Sequence, residues 1–298
     1  MLNSKGNKLF QTFAHIMLGI MVLLVLLPFV LVFMSSITDE TSLITNGYSF
    51  FPKKTSIDAY LYILQQGGKI VRAYGITIFV TILGTSINLI MSTLMAYPLS
   101  LKKLPYRRII TFYVFFTMLF NGGLVPTYLM YTNVLHIKNT LFALIVPNLL
   151  LSAYNVLLIR TFLSVNIPSA LYEAARMDGA GQFRILISIV LPLAKPILVT
   201  IGLFTGLAYW NDWTNGLYYL SGNEGQSLYG IQNLLNQMIT NIQYLASGKV
   251  GGIGSEVAKM PAVSIRMAIA FVAMIPLLVL YPFLQKYFAK GITVGAVK

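Results

Sequence analysis

Long runs almost free of charge constrain this chain more than any other feature. They cover residues 9–38, 73–101, 109–137, 139–159, 185–211 (interrupted only by Lys195) and 267–285. Crossing a hydrocarbon core takes about 20 helical residues, and each run meets or closely approaches that length. In lipid the backbone must satisfy its own N–H and C=O groups, which leaves helices or closed barrels, and barrel strands would be about half as long. The expected fold is an all-α polytopic membrane protein with six transmembrane helices. It reads as a single domain over 1–298, with spans near 12–35, 73–99, 109–131, 141–163, 186–211 and 265–286. Composition agrees: 10% of the residues are charged and 57% hydrophobic, where a soluble domain carries about 25% charged. The first run is too long for a cleavable signal, and Met34-Ser35-Ser36-Ile37 is a poor small-residue cleavage site.

The placement of Lys and Arg orients the spans. With the N-terminus inside, the cytoplasmic face carries twelve basic residues against two acids, Glu173 and Asp178. The opposite face carries eight basic residues against six acids. The short loop Lys102-Lys103-Leu104-Pro105-Tyr106-Arg107-Arg108 weighs most, because short loops follow the rule best. Both termini and the 160–186 segment are therefore expected in the cytoplasm, with the longer segments 36–71 and 214–264 outside. Gly248, Gly251, Gly252 and Gly254 mark turns in the second of these.

Several functions lack their residues. Zero cysteines and two histidines leave no disulfide framework, thiolate metal site or imidazole cluster, so no metal site is expected. The net charge of +13 has no soluble face on which to meet nucleic acid. No span carries the buried carboxylate pair expected of a proton-driven carrier. Gly67-Gly68-Lys69-Ile70 lacks both the glycine spacing and the Ser/Thr of a P-loop, so this chain is not expected to hydrolyse ATP alone.

Between the fourth and fifth runs lies a short polar helix, expected over about 169–181. Pro168-Ser169 opens it, with Ser169 placed to cap free N–H groups. Glu173 falls early, where a carboxylate suits the helix dipole. Gly179, following Asp178, can take the left-handed conformation that ends a helix. Leu171, Ala174, Ala175 and Met177 are small or apolar residues beside that polar edge and call for cover. A protein partner or the lipid headgroups would each supply it, and the local pattern leaves both open.

Residues 173–196 resemble the coupling ("EAA") loop of ABC importer membrane subunits. That loop reads roughly E-A-A-x-x-D-G-A and, after an apolar ramp, I-x-L-P-x-x-x-P. Glu173, Ala174, Ala175, Asp178, Gly179, Ala180, Ile189, Leu191, Pro192 and Pro196 match. Leu186 departs, since the family more often has Phe there, but both are apolar packing residues. Gly122-Gly123-Leu124-Val125-Pro126-Thr127-Tyr128 is similar to the third span of oligosaccharide importer subunits. The end of the chain, from Gly291 to Lys298, is similar to the tail of maltose-type sugar permeases, which reaches toward the ATPase subunits.

The resemblance covers nearly the whole chain and implies a membrane subunit of a bacterial carbohydrate ABC importer. The family further implies a second permease subunit in a heterodimer, two ATPase subunits and an extracytoplasmic sugar-binding protein. ATP and magnesium would be bound by the ATPases, so this chain needs no cofactor of its own. The resemblance places ATPase coupling on Glu173, Ala174, Ala175, Asp178, Gly179 and Ala180. The alternatives are a permease for an amino acid or phosphate, an ion-coupled secondary carrier, and a membrane scaffold.

Asn121, Gly122, Gly123 and Pro126 should break or kink the third span. Irregular backbone at membrane depth is tolerated only where protein or a water-filled cavity receives its polar groups. Sugar rings present C–H faces that stack on aromatics and hydroxyls that need donors and acceptors. Tyr128, Asn155, Trp210 and Asn211, from three different spans, are the expected substrate pathway. Each has a plainer alternative: the interfacial aromatic belt, to which Trp213, Tyr218 and Tyr219 are assigned, or polar packing between helices.

Overall fold

The computed structural model describes residues 5–65, 67–246 and 262–294. Helix dominates among them, and extended pairing is limited to the isolated bridge between Thr38 and Thr55. The helices are α1 (Lys5–Ser36), α2 (Glu40–Asn46), α3 (Asp58–Gln65), α4 (Gly67–Ser100), α5 (Arg107–Leu119), α6 (Leu124–Leu129), α7 (Phe142–Ile145) and α8 (Ala153–Asn166). There follow α9 (Ser169–Met177), α10 (Gln182–Ile185), α11 (Leu191–Asn211), α12 (Thr214–Tyr219), α13 (Gly222–Ser227), α14 (Ile231–Ala246) and α15 (Ala262–Val294). Wider π-helical turns extend α6 over Met130–Val134 and join α10 to α11 over Leu186–Val190. Among the described residues, Lys8–Ser36, Gly67–Ser100 and Gln182–Asn211 are single helices long and apolar enough to cross a membrane. The bent pair Arg107–Leu119 and Leu124–Val134 makes a fourth.

The third charge-poor run is broken where its composition says it should be, with a bend of 112°. Gly123 turns the chain with φ +84°, and its N–H is received by the Asn121 side-chain oxygen at 2.8 Å. The fourth run is not one helix either. α7 stops at Ile145 and α8 starts only at Ala153. Pro147 has no N–H to continue a helix, and Asn148 sits at φ +62°, a left-handed conformation that Asn tolerates better than most residues.

The chain divides into two compact units, the first comprising the residues up to Ile70 with Leu235–Val279. In that unit Phe33 packs on Phe271, with ring centroids 4.8 Å apart. The Ser36 and Tyr60 hydroxyls share a hydrogen bond of 2.7 Å. The Glu40 carboxylate accepts from the Val263 N–H at 2.8 Å, the Ser264 N–H at 2.9 Å and the Ser264 hydroxyl at 2.9 Å. These N–H groups lie in the first turn of α15, where the helix offers no acceptor of its own, so a residue more than two hundred positions away caps that helix.

The second unit comprises Val71–Leu234 and the chain from Leu280 onward. Its core joins Ala96, Tyr97 and Leu99 of α4, Val156, Ile159 and Leu163 of α8, and Ala194 and Ile201 of α11. α4 and α11 approach closely because glycines face large side chains: a Cβ at Gly84 would lie 2.5 Å from the Tyr209 ring, and one at Gly202 3.1 Å from Leu89.

Candidate functional site

The α9 segment is built as a rigid plug. Tyr172 and Ala175 are buried in the core of the second unit, and Tyr172 lies 6.3 Å from the Tyr97 ring of α4, centroid to centroid. Burying a ring of this size contributes about 2 kcal/mol. Burial also raises the pKa of the Tyr172 phenol, which keeps it a neutral packing group. The Tyr97 hydroxyl donates to the Gln182 side-chain oxygen at 2.9 Å, tying α4 to the segment just after α9. Arg107 and Arg160 both donate through Nε to the Leu99 carbonyl, at 2.8 and 3.2 Å. Two cations thus meet the carbonyl end of α4, where the helix dipole favours them.

Both ends of α9 are defined, one of them differently from the sequence expectation. Ser169 is the first helical residue, Pro168 holds the capping position, and no side chain caps the helix there. Pro168 is extended, at φ −61° and ψ 139°, so the helix begins one residue earlier than a Ser169 cap requires. The far end closes on Gly179 at φ +75°. The Gly179 N–H donates to the Arg176 carbonyl at 3.0 Å and the Ala180 N–H to the Ala175 carbonyl at 2.9 Å. This crossed pair is the motif that a left-handed residue after a helix permits.

The outward side of α9 lacks cover. Met177 is 88% exposed, and Leu171 and Phe183 are also exposed. Glu173 and Asp178 are exposed as well. Glu173 pairs with Lys103 at 3.5 Å, a surface contact worth less than about 1 kcal/mol. Beside the helix is a largely apolar groove of about 620 Å³, lined by Leu94, Pro98, Leu101, Leu104, Phe183 and Leu186 with Lys103 and Arg176 at hand. Sequence reasoning did not find this groove, because its walls come from α4, the 101–105 loop and α10.

A second cavity, of about 630 Å³, lies at the break in the fourth run. Thr117, Tyr131, Asn148, Ser152 and Tyr154 bring hydroxyls, an amide and aromatic faces to it, and Val146, Leu150 and Leu151 bring apolar wall. The four residues expected along a pathway are not among those that line this cavity, and each has partners of its own. Asn155 donates to the Asn88 side-chain oxygen and to the Thr205 hydroxyl, each at 3.1 Å. Tyr128 stacks on Tyr219 at 5.8 Å, and Tyr131 meets the same ring edge-on at 5.8 Å. Trp210 is buried beside Tyr74, ring centroids 6.3 Å apart. Asn211 is exposed and donates to the Leu207 carbonyl of its own helix at 2.9 Å. Of the residues at the cavity, Asn148 was open to sequence reasoning through the Pro147-Asn148 pair, whereas Thr117 and Ser152 carry no local signal.

Residues 283 and beyond have no described side chains, and 295–298 lie outside the described residues, as do Gly248, Gly251, Gly252 and Gly254. Gly291 to Val294 continue α15 as helix.

Comparison with known proteins bears on both sites. The chain is 36% identical over 292 residues to the polygalacturonan/rhamnogalacturonan transport system permease protein YtcP of Bacillus subtilis (strain 168), covering 98% of this chain and 99% of that protein. Protein LplC of the same organism is 33% identical over 296 residues, covering 99% and 97% of the two chains. A chain in the crystal structure of a bacterial ABC transporter involved in the import of the acidic polysaccharide alginate superposes with a TM-score of 0.78 at 29% identity. That alignment covers 96% of this chain and 99% of the other. Residues 90–294, which carry α9 and both cavities, match the family described as the binding-protein-dependent transport system inner membrane component. A helical chain with apolar spans, matched end to end by such permeases, belongs to that family and is a multi-pass transport subunit of the cytoplasmic membrane rather than an enzyme.

Proposed function

We propose that this chain is one of two permease subunits through which an ATP-driven importer passes an oligosaccharide into the cytoplasm. The observation that carries the substrate class is the cavity at the broken fourth run. It offers neutral hydroxyl and amide groups with aromatic faces on an apolar wall, which is what a saccharide needs from a site that must also release it. YtcP is named for polygalacturonan and rhamnogalacturonan and the structural neighbour for alginate, so uronic-acid oligosaccharides are the first substrates to try. Tyr128 supports this passage through the ring cluster it shares with Tyr131 and Tyr219, and Trp210 and Asn211 extend it along the end of α11.

In this reading the partners are a second permease subunit, two ATPase subunits that bind ATP and magnesium, and an extracytoplasmic sugar-binding protein. α9 is the coupling helix. Glu173, Ala174, Asp178, Gly179 and Ala180 contribute to the surface an ATPase grips, while Ala175 and Tyr172 root the helix in the membrane domain. A push on α9 then passes through the Tyr97–Gln182 contact to α4 and through α10 to α11, and the spans rock between two states. Six spans cross the bilayer, with both termini and α9 in the cytoplasm and the 291–298 tail directed toward the ATPases.

The test is uptake by the complete importer in proteoliposomes, supplied with its binding protein and a panel of neutral and uronic-acid oligosaccharides. ATP-dependent accumulation of an oligosaccharide is expected, whereas transport of only amino acids or phosphate would refute the substrate class. Topology is read from single cysteines, since the chain has none of its own. Cysteines at 106 and 178 should label from the cytoplasmic side.

A further inference from the structure

The break between α7 and α8 takes several backbone carbonyls out of helical pairing, in a run apolar enough to lie in the bilayer. There, an unmet carbonyl is costly, and this structure meets them with side chains from three other helices. The Tyr209 hydroxyl of α11 donates to the Ile145 carbonyl at 2.8 Å. The Asn215 amide of α12 donates to the Pro147 carbonyl at 3.0 Å. The Asn88 amide of α4 donates to the carbonyls of both Leu149 and Leu150, at 2.8 and 3.1 Å.

Asn88 is the centre of this arrangement. The residue is 1% exposed, in the middle of the charge-free run of α4. An Asn amide has two N–H donors and an oxygen with two lone pairs, and every one is used. The nitrogen serves the two carbonyls. The oxygen accepts from Asn155 at 3.1 Å and from the Ser92 hydroxyl at 3.4 Å. Asn155 in turn donates to Thr205 at 3.1 Å, and Thr205 stands on α11, the span that continues from α9 through α10. The carbonyls that Asn88 holds belong to Leu149 and Leu150, and Leu150 and its neighbours Asn148 and Ser152 line the polar cavity.

We propose that Asn88 is a positioning residue for transport. It fixes the shape of the cavity's unwound wall and links that wall, through Asn155 and Thr205, to the helix that moves with α9. Asn88 does not touch substrate; it sets where Asn148 and Ser152 stand and keeps the wall in step with α11. The inference rests on reading the cavity as the passage and α9 as the coupling helix.

The experiment uses the complete importer in proteoliposomes and measures sugar taken up per ATP hydrolysed, at equal amounts of assembled complex. Asn88→Leu keeps the branched shape, at a somewhat larger volume, but removes all four bonds. The expected result is a fall of about tenfold in sugar per ATP, the size of effect that leaving buried carbonyls unmet produces. Hydrolysis stimulated by the loaded binding protein should stay within about twofold of wild type. A merely structural residue would lower the yield of complex and leave sugar per assembled complex, and per ATP, unchanged. Thr205→Val is isosteric and cuts only the link to α11. It should lower sugar per ATP by about two- to threefold, and it decides the matter if Asn88→Leu does not assemble. Wild-type stoichiometry in whichever of these variants assembles overturns the proposal. If the wild-type complex carries a solute other than a saccharide, the substrate reading fails, and the same ratio, measured with that solute, still judges Asn88.

Discussion

Replacing Gly179 isolates the backbone contribution of the α9 terminus, because its surroundings are empty. A Cβ added there meets nothing within 4 Å, so any effect is torsional rather than steric. At φ +75° an L-residue other than glycine costs about 1–2 kcal/mol, with Asn the mildest. Relaxing that strain means giving up the Gly179–Arg176 and Ala180–Ala175 hydrogen bonds of 3.0 and 2.9 Å, which frays the turn carrying Asp178. A penalty of this size shifts the population of the closed terminus by a factor of about 5 to 30. The series Gly179→Asn, Gly179→Ala and Gly179→Val should therefore lose uptake progressively. Asn should stay near wild type, and Val should fall by about 5- to 30-fold if α9 acts as a rigid lever. The assay is ATP-dependent uptake by the full importer in proteoliposomes, normalised to assembled complex, with ATP hydrolysis measured alongside. Hydrolysis that persists while uptake falls marks loss of coupling. Wild-type uptake by Gly179→Val, or an Asn variant as impaired as Val, would refute the reasoning.

Gly84→Ala should destabilise the second unit, because the new methyl lands on the Tyr209 ring and overpacking of this kind costs about 1–3 kcal/mol; an unchanged thermal midpoint in detergent would mean α4 and α11 are less tightly joined than described. Glu40→Gln should weaken the cap on α15 by about 1–2 kcal/mol, since charge-assisted bonds to the Val263 and Ser264 N–H groups become neutral ones, and the thermal midpoint of the purified protein reads this directly. Trp210→Ala should lower uptake per assembled complex while leaving hydrolysis stimulated by the loaded binding protein intact; uptake at the wild-type rate would remove Trp210 from the pathway.

Local sequence carried the features that depend on the chain's own backbone and solvent preference. Charge-free runs of bilayer length announced apolar helices, since lipid admits no other way of satisfying so many peptide groups over that length. Asn121, Gly122 and Gly123 announced the broken third run, because residues that turn the chain do so wherever they fall. Asp178-Gly179 announced the end of α9, because only a residue at ease with positive φ can close a helix that way. The Pro147-Asn148 pair carried the same kind of information for the fourth run, but freedom from charge there suggested an unbroken helix.

The tertiary structure decided which polar groups meet. Asn88 lies 67 residues from Asn155, and Asn155 lies 50 from Thr205, so nothing local to any of them marks the network they form. Tyr209 and Asn215 read in sequence as aromatic and amide groups at the end of a span, yet they serve carbonyls more than sixty positions away. The groove beside α9 and the cavity beside Asn148 are likewise products of packing, since each wall comes from a different helix. A helix or a turn follows from torsional preference and local solvation. A buried hydrogen bond between distant residues exists only once the spans have come together and excluded every other partner.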